Sequence, residues 1–75
     1  MKVLTNNVIF GKNLTYIRQS NGFTVQYMAK LLNITEEQLY QLESGQYMDI
    51  DGLTVKILLN LLEDETADLF EKSYF

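Results

Sequence analysis

The stretch TVQYMAKLLNITEEQLYQLESG, residues 24 to 45, decides how this chain folds. Val25, Met28, Ala29 and Leu32 stand at i, i+3, i+4 and i+7, the apolar stripe of a helix of about two turns, with Thr24 placed to cap it. Asn33 tolerates the left-handed conformation that a helix end commonly needs, and Ile34 after it is expected to drop into the core. A new helix then starts at once. In TEEQ, residues 35 to 38, Thr35 can accept from the amide of Gln38 while the Gln38 side chain reaches back to the amide of Thr35, which makes a capping box. Leu39 and Leu42 turn inward, Gly45 closes the helix, and its first turn carries Glu36 and Glu37.

Outward from this pair the pattern stays helical. Phe10, Leu14, Ile17 and Asn21 step by four, three and four before Gly22, so residues 8 to 20 read as a first helix. Beyond Gly45, QYMDID is a loop in which Ile50 is expected to be buried and Asp51 to cap the next helix. Leu53, Ile57, Leu58, Leu61 and Leu62 give that fourth helix a broad apolar face. A short fifth, from about residue 64 to 72, opens on acids and offers Ala67, Leu69 and Phe70. The expectation is one all-α, five-helix domain over residues 1 to 75.

Composition agrees. The chain has 75 residues and neither cysteine nor histidine, so neither disulfides nor an ordinary zinc site can hold it together. Domains below about 80 residues then rely on tightly packed helices, and proline is absent here. No apolar run approaches the roughly 18 residues of a membrane span, and no amino-terminal run reads as a secretion signal, so a soluble, cytoplasmic protein is expected. Net charge is -4, which argues against holding nucleic acid by bulk electrostatics. The charge is uneven, however. Lys2, Lys12, Arg18 and Lys30 precede any acid, whereas the ten acids from Glu36 onward face only Lys56 and Lys72, so an acidic total can hide a basic face.

Two short helices on a three-residue turn pack steeply only if one crossing residue is small and its flanks are apolar. Ala29 is the small residue, and Met28, Leu32, Ile34, Leu39 and Leu42 occupy the apolar places of a helix-turn-helix motif spanning about residues 25 to 44. Six positions in register plus a capping box make a specific signal. On these residues, with Gly11 and Arg18 in the first helix, Asn33-Ile34-Thr35 at the turn and Glu43-Ser44-Gly45 at the close, the chain resembles the Cro and phage-repressor (XRE) helix-turn-helix family over about residues 8 to 70. The resemblance implies a lambda-repressor-like fold, a third helix that reads the major groove of an operator, and an internal pairing of Arg18 with Glu43. Three positions depart from the family pattern. Val25 replaces the glutamine that opens the second helix, Asn13 replaces a common basic residue, and Asn33 replaces the turn glycine. The first two are expected to strip polar groups from the face that would meet phosphate.

The candidate contact residues follow from that placement. Glu37, Tyr40, Gln41 and Ser44 form the outward stripe of the third helix, and Gln41 can make a bidentate pair with adenine. Thr35 and Glu36 stand at its start, and Gln26, Lys12 and Lys30 are polar-face residues within reach of backbone phosphates. Each is equally at home on an ordinary solvated surface. First-turn carboxylates stabilise a helix by about 0.3 to 1 kcal/mol. Near a phosphate, however, they repel it by about 1 kcal/mol at 4 Å in water. Glu36 and Glu37 therefore read as caps, as acceptors for cytosine N4, or as contacts for a basic protein. The leading expectation is a DNA-binding transcriptional regulator that acts as a homodimer through the fourth and fifth helices, using Leu69, Phe70, Tyr74 and Phe75. The alternative is an antirepressor, the same fold docked on the DNA-reading face of a cognate repressor. Nothing in the sequence suggests catalysis, a cofactor or a metal site.

Overall fold

The structure, a computed structural model, describes residues 6–46, 52–63 and 69–75. Among them are four helices and no strand: α1 Asn6–Ser20, α2 Val25–Leu32, α3 Glu36–Glu43 and α4 Gly52–Leu62. The first starts two residues before the position its apolar stripe predicts. The all-α, lambda-repressor-like class holds, whereas the fifth helix does not appear among the described residues. Its residues 64–68, with Ala67, lie outside them, and residues 69 to 72 form a turn and a bend. In place of helix bonds, the carbonyls of Leu69 and Lys72 are taken up by the Asn13 side chain, at 2.9 and 2.7 Å. Tyr47, Met48, Ile50 and Asp51 are also outside the described residues.

Capping follows the sequence closely. Thr24 and Thr35 both sit in extended backbone and accept from the amides of Tyr27 and Gln38. The reciprocal bond of the capping box is present, with the Thr35 amide donating to Gln38 Oε1 at 2.9 Å. Asn33 takes φ 58° and ψ 45°, the left-handed stop that its side chain permits at little cost. The Ile34 amide bonds back to Ala29 at 2.9 Å, and its side chain packs on the core half-buried.

The core is Phe10, Leu14 and Ile17 of α1, Met28, Ala29 and Leu32 of α2, Leu39 and Leu42 of α3, Leu58 of α4, and Leu69. Ala29 is 3% exposed, as a small residue at the α2–α3 crossing must be. Phe70 stacks on Phe10 with ring centroids 4.9 Å apart. Gly11 marks the closest helix approach: a β-carbon there would strike the carbonyl oxygens of Leu42 and Glu43, the latter at 2.7 Å. Any side chain at position 11 would force α1 away from α3. On α4 the inward residues are Thr54 and Leu58, with Ile57, Leu61 and Leu62 half-buried. Leu53, expected on the apolar face, is instead 65% exposed.

Candidate nucleic-acid interface

What fixes the reading motif to the rest of the chain is one carboxylate. Glu43, at the end of α3, accepts from Arg18 Nε at 2.9 Å, from Arg18 Nη2 at 3.1 Å and from the Thr15 hydroxyl at 2.8 Å. Arg18 and Glu43 are only 16% and 13% exposed, so the fork is shielded from the screening that weakens surface pairs. Arg18 Nη1 also donates to the carbonyl of Phe23, tying in the turn before α2. The expected internal pairing is therefore present, and Arg18 is committed to it. Thr15 was not foreseen. Its signal lay in its spacing, four residues after Gly11 and three before Arg18, which puts all three on the α1 face that meets α3.

With α3 so held, its outward face is open. Glu36, Glu37, Tyr40 and Ser44 are exposed and Gln41 is half-exposed, with Tyr40 at 73%. The Ser44 hydroxyl donates to the carbonyl of Gln41 within its own helix at 3.0 Å. Glu36 and Glu37 stand in the first turn, and neither takes a salt bridge with a described residue. Two recesses organise the predicted residues. One, at the α2–α3 turn, brings together Gln26, Lys30, Asn33, Thr35 and Glu36; the other brings Val25, Glu36, Glu37, Tyr40 and Gln41 around the opening of α3. Seven of the nine candidate contacts thus lie on one continuous surface, and Ser44 joins them through a third recess that it shares with Val25 and Tyr40.

Lys12 is not brought there. It lines a separate recess with Tyr16, Gln19 and Phe75, and its ammonium lies 5.3 Å from the centre of the Phe75 ring. Asn13 is a correction of a different kind. It is 0% exposed and cannot have removed a polar group from a phosphate-facing surface; it is a core residue whose amide is fully bonded. Of the candidate dimer residues, Leu69 is buried in the chain's own core and Phe70 is stacked on Phe10. Tyr74 is half-buried under the Lys72 ammonium at 5.2 Å, which leaves Phe75, at 53%, the most open of the four.

A clamped α3 with a free outward face, set beside α2 at a tight turn, is the geometry of a groove-reading motif. A family model described as helix-turn-helix matches residues 14–70. The chain belongs to the XRE-type helix-turn-helix family. Among solved structures it is similar to the restriction-modification controller protein C.AhdI from Aeromonas hydrophila. That match has 25% identity and a TM-score of 0.67, covering 87% of this chain and 97% of that one. No curated protein matches the chain. Family and fold together make this a DNA-binding transcriptional regulator. Of its departures from the family pattern, Asn13 lies in the core, while Val25 and Asn33 line the recesses beside α3.

Proposed function

We propose that this regulator binds an operator as a homodimer, in the cytoplasm, with α3 of each subunit in successive major grooves. The observation that carries the reading is the open outward face of α3, locked to α1 through Glu43 and Arg18 while Tyr40, Gln41 and the two carboxylates remain free. Gln41 is the base reader, with Thr35 and Tyr40 beside it; Gln26 and Lys30 contact phosphate from the α2 side, and Lys12 supplies a further cation from α1. The α4 stripe of Leu53, Ile57 and Leu61, at i, i+4 and i+8 with Leu53 its exposed member, supports dimerisation there, and Phe75 beside α1 is a separate exposed anchor. Sedimentation of the protein with a duplex selected from a random pool tests this: two chains per duplex are expected, and one chain per duplex overturns the homodimer.

Two carboxylates at the leading end of α3 that pair with no described residue also favour a second reading, in which that end meets a basic protein surface such as the DNA-reading face of a repressor. The readings separate on one variant. Changing Glu36 and Glu37 to glutamine strengthens duplex binding under the first and abolishes repressor capture under the second.

A further inference from the structure

The departure at Val25 has a positive counterpart in the structure. Val25 is half-buried: one side packs against the core, and the other lines two neighbouring recesses, each shared with Tyr40. One recess is bounded by Arg18 and Glu43, which neutralise each other, and by Ser44. The other is bounded by Glu36, Glu37 and Gln41. The result is an apolar notch at the opening of the reading face, with an aromatic wall and an acidic rim.

Charge decides what such a notch can meet. A phosphate is disfavoured on the α3-opening side, because Glu36 and Glu37, paired with no described residue, stand on the rim and valine offers it no donor. The floor of the major groove differs from the backbone in both respects. It presents one apolar group, the thymine 5-methyl, beside the amino groups of cytosine and adenine, which are donors that a carboxylate accepts from. We infer that Val25, together with Tyr40, is a specificity-determining residue that takes the 5-methyl group of a thymine in the operator. The inference rests on the proposed DNA-binding reading and adds to it a base that a residue of α2 helps α3 to select.

The test uses duplexes that the wild-type protein selects from a random pool, resynthesised with each thymine replaced singly by deoxyuridine, which removes only the methyl. At one position in each half-site the replacement should weaken binding about fourfold, the worth of one buried methyl-sized group. Val25→Ala should bind the thymine and uracil duplexes equally while keeping its helical circular dichroism. Val25→Ser, which carries no methyl and places a hydroxyl there, should lose most of the discrimination and serves if the alanine variant is unstable. Unchanged wild-type affinity at every uracil position overturns the inference, as does full discrimination retained by both variants. Failure of the wild type to select any duplex overturns the DNA-binding reading itself, a result distinguishable from the other two.

Discussion

The side-chain amide of Asn13 donates to the carbonyl of Leu69 at 2.9 Å and so ties the middle of α1 to residues 56 positions further along the chain. The second amide hydrogen goes to the carbonyl of Lys72, and the side-chain oxygen accepts from the amide of Tyr74 at 2.8 Å. No other uncharged side chain of this size satisfies two carbonyls and one amide at once. Asn13→Asp keeps the shape but removes both donors and turns an anion toward two carbonyls. It should cost about 2 to 5 kcal/mol at neutral pH. Burial raises the new carboxyl above its usual value of about 3.9, so the loss should shrink as pH falls through the raised value. Urea midpoints at several pH values check both the size and the sign.

The Arg18–Glu43 fork should couple strongly because it is shielded and shares its carboxylate with Thr15. Glu43→Gln should destabilise by about 1.5 to 3 kcal/mol, the range for hydrogen bonds to charged groups. Replacing Arg18 as well should cost less than the two single changes together. Additive losses in the double-mutant cycle would mean that the fork contributes nothing as a pair.

At the α1–α3 crossing, Gly11→Ala should cost about 3 kcal/mol, the upper end for overpacking, because the atoms it meets are backbone carbonyls that cannot swing away. Ala29→Leu, at the α2–α3 crossing, should cost about 1 to 3 kcal/mol, since its neighbours include side chains that can repack. A denaturant midpoint unchanged by either substitution would place the crossing elsewhere.

These crossings also mark what could be read from the sequence. The caps at Thr24 and Thr35, the stop at Asn33 and the small residue at Ala29 act within a few residues of themselves, so local pattern reveals them. Asn13, Thr15 and Leu53 were misjudged or missed for the opposite reason. Asn13 looks like a surface residue until a segment far along the chain closes over it, and Thr15 acquires its role only when α3 delivers Glu43. Leu53 is apolar and in phase, but it lies at the start of α4, where the helix presents Thr54 to the core instead. Of the candidate contacts, the α2 and α3 residues fall together because the motif fixes their spacing. Lys12 does not, because nothing in its neighbourhood announces Phe75.

If α4 pairs two subunits, Leu53→Glu should weaken the dimer without unfolding the chain, because the side chain is 65% exposed in the single subunit. Sedimentation should then report a monomer at concentrations where the wild type is a dimer, with helical circular dichroism retained and a thermal midpoint that no longer depends on concentration. Loss of the fold instead would mean that Leu53 packs within its own chain.

The electrostatics of the reading face give the most direct test of the whole account: titration of the wild type and the Glu36→Gln/Glu37→Gln variant against a selected and a scrambled duplex over a range of salt. The wild type should prefer the selected duplex at about 0.15 M salt, with a logarithmic salt slope no steeper than about -4, as follows if Lys12 and Lys30 are the phosphate contacts of each subunit. The variant should bind the scrambled duplex at least about fivefold more tightly, since like-charge contacts worth about 1 kcal/mol each disappear. No detectable binding of any duplex by either protein, even at low salt, would contradict the account.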